Sequence, residues 1–414
     1  MNEASPRSPL PPSSTTPAPT KPAPAGAPRL AAIDALRGLI MIIMAVDHAS
    51  AFLVRAHGSE FWTGPWTRYD AAGFVAGPLA FLTRFLTHLC APGFFFLMGV
   101  GMALFAASRQ RVGWGAGRIS RYFLLRGAVL ILVNLLVENR AWFLGFSAGK
   151  DSAGLLPPPG MDWLLFSVIT GLGMTMIVGG ALLIPAGRIL CLLAAALAIG
   201  CALLVPRLPY TFFDGPAWIR FLLLPGKSGR MFLLYPLLPW LSLVTLGMWL
   251  GRKLADREQG DRALRWAPIL GLGFIAAALL LRALGGFGNL RPPRDGGWIE
   301  FLNFIKYPPA LVFALFMVGT NLLLLSLLAR LSRAGRPLSA VVEFLAVYGQ
   351  APLCFYVAHL FLYATTAKLF YPTPTTLVRM YPVWSAGLSP LYFLCRFYRG
   401  FKDRKPPESL WRLF

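Results

Sequence analysis

The feature that most constrains this chain is a succession of apolar runs of about 17–25 residues, the length at which a helix crosses a bilayer. The 414 residues are 56% hydrophobic and only 14% charged, whereas soluble domains carry about 25% charged residues. This composition excludes a soluble Rossmann or TIM-barrel protein and predicts an all-α, polytopic membrane helix bundle with about ten transmembrane helices. The predicted spans lie near 31–54, 78–107, 122–138, 162–185, 188–206, 231–251, 266–284, 308–329, 345–370 and 382–398.

Basic residues separate alternate spans and predict the orientation of the bundle. Lys and Arg number 39 against 17 Asp and Glu, a formal charge of +22. Nucleic acid is not the expected partner, because the charges lie in short clusters between apolar runs. Four clusters, at 109–121, 252–265, 330–336 and 396–405, share one side if ten spans begin in the cytoplasm. We therefore expect both termini in the cytoplasm, with membrane lipids as partners and a homodimer as one possible assembly.

The chain divides into a long membrane domain with a tail at each end. Residues 1–29 are rich in Pro and Ala and predict a disordered cytoplasmic tail, residues 30–400 form the membrane domain, and residues 401–414 form a basic tail. The five cysteines lack the spacing of metal ligands, and the sequence has no Walker loop or HExxH motif. No metal is expected.

Ionisable residues inside the first span are the first functional candidates, because charges at membrane depth are costly. Arg37 and His48 are eleven residues apart, about three helical turns, so they project from nearly the same face. Asp34 lies one turn before Arg37 on that face. An alternative is that Asp34 and Arg37 form an interfacial ion pair that only holds the helix in place.

Histidines supply the candidate base. His48 and His88 are predicted in the outer half of the bundle, where an imidazole can take a proton from an amine or hydroxyl. Asp47 or another carboxylate would fix the tautomer, and Arg37 or Arg84 could stabilise an oxyanion. His359 is also expected in the outer half, where interhelical hydrogen bonding is the commoner role.

The second cytoplasmic loop offers cations for phosphate groups. Guanidinium groups surround Gly113, Gly115 and Gly117 and could hold the phosphates of a nucleotide-bearing donor such as coenzyme A. The alternative is that this loop only orients the protein. The candidate residues are Arg109, Arg111, Arg118, Arg121 and Arg126.

Five motifs resemble the bacterial relatives of heparan-alpha-glucosaminide N-acetyltransferase. The matching segments are RLAAIDALRG at 29–38, MAVDHAS at 44–50, THLCAPGFFFLMG at 87–99, KYPP at 306–309 and YGQAPLCFYVAH at 348–359. The resemblance implies a ten-span core that moves an acetyl group from cytosolic acetyl-CoA to an amino sugar on the far side of the membrane.

The same resemblance suggests a third histidine for the base. The family's catalytic histidine lies in a His-Ala-Ser-Trp-Asn-Gly segment of the first non-cytoplasmic loop, and His57 in HGSEFWTG is the nearest match. The wider membrane acyltransferases instead resemble this chain through the spacing of Arg37 and His48. His48, His57 and His88 are therefore rival bases. The substrate-binding candidates are Asp34, Trp62, Lys306, Tyr356 and His359.

The sequence, with this resemblance, thus predicts an acyltransferase of a bacterial inner membrane that uses acetyl-CoA or another acyl-CoA as donor and a glycan or small molecule as acceptor. Direct transfer and a covalent acetyl-histidine remain alternatives. The principal alternative function is a secondary transporter of a sugar or other small polar solute that uses the same His, Arg and Asp residues. A non-catalytic scaffold would leave these costly residues unexplained.

Overall fold

Helices account for most of the residues that the structure places. The computed structural model describes residues 28–55, 78–147, 164–182, 189–211, 215–293, 297–406, 409 and 411. The helices in these ranges are α1 Pro28–Ala49, α2 Pro78–Thr87, α3 Cys90–Arg111, α4 Ala116–Val133, α5 Asn139–Phe146, α6 Val168–Leu182, α7 Leu190–Leu204, α8 Ala217–Leu222, α9 Leu237–Ala255, α10 Arg257–Leu284, α11 Trp298–Leu302, α12 Leu311–Leu331, α13 Leu338–Gly349, α14 Pro352–Phe370 and α15 Leu377–Asp403. One small sheet, in the order β1-β3-β2, joins β1 Leu164–Phe166, β2 Gly226–Ser228 and β3 Met231–Leu233.

The predicted fold class, an all-α membrane bundle, is confirmed. Among the described residues, seven helical stretches are long and apolar enough to cross a membrane: Ala31–Val54, Pro78–Arg111, Ala116–Phe146, Leu190–Arg207, Arg257–Leu284, Leu311–Leu331 and Pro352–Phe370. The other predicted spans also contain helices. Of these, α6 is only 15 residues long, whereas α9 and α15 are 19 and 27 residues long but less apolar. The count of ten crossings stays a prediction.

Prolines have different effects in the last two predicted spans. Residues 345–370 do not form one helix, because the chain breaks at Gln350 and Ala351 between α13 and α14. Ala351 precedes Pro352 and has φ −128° and ψ 55°, and the residue before a proline disfavours the helical conformation. The predicted span 382–398 is part of one helix, α15, which continues through Pro382 and Pro390.

Helix α1 is the central element of the bundle. It packs against α2, α3, α12, α13, α14 and α15, and it buries residues around most of its circumference. Its contact with α13 is closest at Gly38 and Gly349, where a Cβ on either residue would collide with the backbone of the other helix. Such close approach needs small residues, as is common between membrane helices.

Contacts join three of the four basic clusters, those at 109–121, 252–265 and 330–336, at what we call the basic end of the bundle. Arg111 donates a 2.7 Å hydrogen bond to the carbonyl of Ala255, which joins the end of α3 to the end of α9. Arg333 and Asp261 form a 2.9 Å ion pair between α12 and α10. The assignment of this basic end to the cytoplasm stays a prediction.

Candidate active site

A cavity of about 320 Å³ begins at the basic end of the bundle and reaches toward its centre. Its mouth is polar, with side chains from α1, α4 and α15 and from the turn between α13 and α14. These mouth residues are Arg37, Arg126, Gln350 and Lys402. Its walls are apolar, largely Met, Phe and Leu from α3, α4 and α6, and Tyr356 of α14 lines it farther in. The cavity therefore combines a cationic entrance with an apolar channel.

The break between α13 and α14 helps form the mouth. The guanidinium of Arg37 donates 2.9 Å hydrogen bonds to the carbonyl of Gly349 and to Asp34 Oδ1. Lys402 Nζ donates to the carbonyl of Gln350 at 2.6 Å, and Arg399 donates to Gln350 Oε1 at 2.8 Å. Basic side chains thus hold the turn that the sequence analysis did not predict.

Like charges are concentrated at this mouth. Burial, together with the nearby Arg126 and Arg37, lowers the pKa of Lys402, which lies beyond the predicted span 382–398. Arg126 Nη1 also donates to the hydroxyl of Tyr122 at 3.1 Å, which keeps its guanidinium against the cavity wall. An anion bound here would relieve the repulsion among these cations.

Arg37 lies at the mouth of the cavity, and its predicted role as an oxyanion donor stays a prediction. It is eleven residues from His48, about 16 Å along α1, and it pairs with Asp34 at the mouth. The alternative reading, an Asp34–Arg37 ion pair near the end of the helix, matches this geometry. The side chains keep 28% and 21% of their exposure, respectively, so both can still meet a ligand that enters the cavity.

Two histidines, His48 and His359, meet inside the bundle. His48 Nδ1 lies 2.6 Å from Nε2 of His359, and the rings stack with centroids 4.9 Å apart. His88, one of the rival bases, is fully buried and packs against the rings of Phe85 and Phe313. Hydropathy placed His48 and His359 in the same half of the membrane, but it could not determine which helices are neighbours.

The hydrogen bonds determine the tautomers of this pair when both rings are neutral. His359 Nδ1 lies 2.9 Å from the carbonyl of Phe355, and a carbonyl can only accept, so Nδ1 carries the proton. Nε2 of His359 then accepts, and His48 Nδ1 must donate to it. This arrangement leaves the lone pair of His48 on Nε2, the atom that can take a proton.

Beside the histidines lies a buried carboxylate that the sequence analysis missed. Glu138 is 1% exposed and belongs to the π-helical turn Asn134–Glu138, which interrupts the helix between α4 and α5. Its carboxylate accepts four hydrogen bonds, from Tyr356 Oη at 2.7 Å, Ser167 Oγ at 2.5 Å, Asn134 Nδ2 at 2.9 Å and Trp142 Nε1 at 3.0 Å. An acid at the end of an apolar run was the available signal.

Glu138 connects the cavity to the histidines. It holds the hydroxyl of Tyr356, which lines the cavity, and the indole of Trp142. The edges of both rings meet His48, with centroid separations of 5.3 Å to Trp142 and 6.1 Å to Tyr356. Tyr356, predicted to bind substrate, therefore lies between the cavity and the imidazole of His48.

Asp47 lies beside residues of α2. Its carboxylate accepts from Arg84 Nη1 at 2.5 Å and from Thr87 Oγ1 at 3.1 Å. Arg84 is thus engaged in an ion pair with its side chain 6% exposed. The predicted roles of Asp47 as the partner that sets the tautomer and of Arg84 as an oxyanion donor stay predictions.

A second polar region adjoins Asp47 on the side of the KYPP motif. The hydroxyls of Tyr235 and Tyr307 are 3.1 Å apart, and Tyr235 lies near both Asp47 and Tyr356. Lys306, predicted to bind substrate, is 3% exposed with its ammonium 5.0 Å from the ring centre of Tyr307. Polar groups therefore continue from Tyr356 beyond the inner part of the cavity.

The predicted phosphate-binding arginines separate into two groups. Arg126 lines the cavity, whereas Arg109 and Arg118 lie over the ring of Trp114 at 5.5 and 4.2 Å. Arg111 bonds to Ala255, and Arg121 is exposed. The sequence showed that the loop is basic, but only packing shows which guanidinium faces the channel.

The remaining predictions concern His57, Trp62 and metal binding. His57 and Trp62 lie in 56–77, outside the described residues. Within the described ranges, no cluster of three or more His, Cys, Asp or Glu residues could hold a metal ion.

The match to a known family agrees with the motifs. No curated protein matches the chain. The family model described as heparan-alpha-glucosaminide N-acetyltransferase, catalytic, matches residues 29–281, more than half of the sequence. This stretch contains α1 to α9 and most of α10, including His48, Glu138 and Arg126, and it ends before α14. The chain belongs to the heparan-alpha-glucosaminide N-acetyltransferase family.

Proposed function

We propose that this protein is an integral-membrane acetyltransferase that takes the acetyl group of acetyl-CoA from the basic end of the bundle. The acceptor is an amine or hydroxyl, as on an amino sugar, that approaches from the opposite end. The observation that carries this proposal is the cavity that begins among Arg37, Arg126 and Lys402 and extends to Tyr356, beside His48. We expect the basic end to face the cytoplasm, where acetyl-CoA is found.

The donor fits the polarity of the cavity. The phosphates of coenzyme A would meet Arg126, Lys402 and Arg37 at the mouth, where charge-assisted hydrogen bonds are strong. The uncharged pantetheine arm would lie along the apolar walls, and the thioester would come close to Tyr356. Each part of the donor is thereby matched to groups of its own character.

The chemistry needs one proton acceptor. His48 Nε2 takes the proton from the acceptor nitrogen or oxygen as that atom bonds to the thioester carbonyl carbon. The carbon–sulfur bond then breaks, and the imidazolium returns the proton to the departing thiolate of coenzyme A. His359 holds His48 in the reactive tautomer, and Glu138 fixes Tyr356 and Trp142 around the ring.

The acceptor would bind beyond Tyr356, among polar groups of the segment between β3 and α9, of the KYPP segment and of the first two spans. Tyr235, Tyr307, Lys306 and the Asp47–Arg84 pair offer hydroxyl, ammonium and carboxylate groups. Such groups suit a hydroxylated amine. Asp47 and His48 are adjacent in α1, so the proposed acceptor site and the proposed base share a helix.

A transfer assay with purified protein tests the proposal. Radiolabelled acetyl-CoA would be supplied with glucosamine, which offers an amine, or with N-acetylglucosamine, which offers only hydroxyls. We expect acetyl transfer to at least one of them, and His48→Ala should lower kcat by about 10²–10⁴-fold. An Arg111→Ala variant, changed outside the cavity, should retain activity.

Two results would contradict the proposal. One is the absence of acetyl-CoA binding and turnover in folded protein. The other is proton-gradient-driven uptake of the amino sugar into vesicles without acyl-CoA, which would identify the protein as a transporter.

A further inference from the structure

A second cavity, of about 370 Å³, lies between α9 and α10 on a different side of the bundle. Phe96 of α3 and Leu322 of α12 contribute to its lining, and most of the remaining wall is apolar. Trp249 of α9 and Trp266 of α10 both line it. We call this cavity the α9–α10 groove; the proposed transfer reaction does not use it.

The polar residues of the groove are concentrated at one end. Lys253, Gln259 and Arg262 all lie beside the turn between α9 and α10, at the basic end of the bundle. Lys253 Nζ donates to Gln259 Oε1 at 3.1 Å. Arg262 pairs with Glu258 at 2.9 Å, with the two side chains 63% and 82% exposed. So exposed a pair contributes little stability, and a phosphate group could replace the carboxylate.

The groove has the length of one membrane leaflet. From Arg262 to Phe274, both of which line it, α10 advances twelve residues, which is about 18 Å. Half of the hydrocarbon core of a bilayer is about 15 Å. Trp249 and Trp266 lie toward the charged end, and tryptophan favours the level of the lipid headgroups. The basic residues, the tryptophans and the apolar lining therefore lie where the headgroup, the interfacial region and an acyl chain of one phospholipid would lie.

We propose that the α9–α10 groove binds one anionic phospholipid, with its phosphate at Lys253 and Arg262 and one acyl chain along α10. Apolar burial alone would accept any lipid. The two cations at the mouth favour a headgroup with net negative charge, since a basic residue near an anionic lipid surface contributes about 1 kcal/mol.

Lipid-dependent thermal stability of the full chain in a neutral detergent tests this site. Phosphatidylglycerol and phosphatidylcholine with the same acyl chains would be added separately, with inorganic phosphate as a third arm. We expect phosphatidylglycerol to raise Tm more than phosphatidylcholine does, and inorganic phosphate to leave Tm unchanged. In the double variant Lys253→Gln/Arg262→Gln, the concentration of phosphatidylglycerol that gives half the shift should rise about tenfold or more.

A matched control removes the same charge at the same end of the bundle. Arg333→Gln/Arg336→Gln also replaces two basic residues, one of which likewise pairs with an acid of α10, and it should respond as the unaltered protein does. Ala263→Phe fills the groove without altering charge and should weaken the response to both lipids. Equal shifts from the two lipids in the unaltered protein, an equal loss in the control, or a full shift from inorganic phosphate would overturn the proposal.

Discussion

His48 and His359, which are 311 positions apart in the sequence, form a stacked pair with a 2.6 Å contact between Nδ1 of one and Nε2 of the other. The carbonyl of Phe355 fixes His359, and His359 in turn fixes His48. The two rings therefore have different roles: His359 positions His48. This relationship turns a general expectation about intramembrane histidines into separable roles.

The first prediction separates the base from the residue that positions it. We expect His48→Gln to lower kcat for acetyl transfer by about 10²–10⁴-fold, because the variant lacks the proposed base. His359→Leu should lower kcat less, because His48 remains but loses the acceptor for its Nδ1 proton. His359→Gln, whose amide oxygen can accept that proton, should restore part of the loss. Steady-state kinetics with acetyl-CoA would measure all three variants.

The pH profile provides a check that a structural defect would not mimic. In His359→Leu the pH dependence of kcat/KM should move relative to the unaltered protein, since the environment of His48 has changed. A variant that simply folds less well would lower the amplitude at every pH and leave the profile in place. That outcome would exclude a positioning role for His359.

Glu138 is the subject of the second prediction. Its carboxylate accepts from four donors, so Glu138→Gln turns one acceptor into an NH₂ group that faces other donors. Leaving a buried polar group unsatisfied costs about 1–3 kcal/mol. We expect a clearly lower Tm in neutral detergent, measured by size-exclusion chromatography after heating, together with loss of activity.

Tyr356→Phe is the comparison for this variant. It removes one of the four donors and leaves three, so its effect on Tm should be smaller. Its effect on kcat should remain large, because Tyr356 lies between the cavity and His48. Equal losses of stability in the two variants would contradict the assignment of Glu138 as the centre of this cluster.

The fold was more predictable than the site, for a physical reason. Apolar length determines membrane spans directly, so each of the ten predicted spans contains a helix. The site depends on which faces meet, and a single hydropathy profile carries no information about pairs of helices. His48 was predicted from the face of α1 that it shares with Arg37, whereas its partner His359 lies on α14. Glu138 is the last residue of the predicted span 122–138, and its burial depends on packing that a hydropathy profile does not describe.

Gly38 and Gly349 give the third prediction, which concerns the packing of α1 on α13. A Cβ at either position would collide with backbone atoms, which cannot move aside as a flexible side chain can. We expect Gly38→Ala to destabilise the protein by about 1–3 kcal/mol, the usual cost of overpacking. Gly101→Ala is the control, because its nearest neighbour, the Arg37 side chain, would be 4.0 Å from the new Cβ. A similar Tm for both variants would show that α1 and α13 do not pack so closely.

The last prediction concerns the mouth of the cavity, where the donor's phosphates and its thioester can be tested apart. Arg126→Gln and Lys402→Gln each remove a cation that lines the mouth, far from the histidine pair. KM for acetyl-CoA should rise by about tenfold for the loss of about 1.4 kcal/mol of charge-assisted binding, with little change in kcat. Acetyl-pantetheine lacks the nucleotide phosphates, so its KM should be unaffected by either substitution. Arg121→Gln, at an exposed position of the same loop, controls for the general effect of charge on a polyanionic substrate. If acetyl-pantetheine lost as much as acetyl-CoA did, the cations would be acting through the shape of the cavity, and the phosphates would have to bind elsewhere.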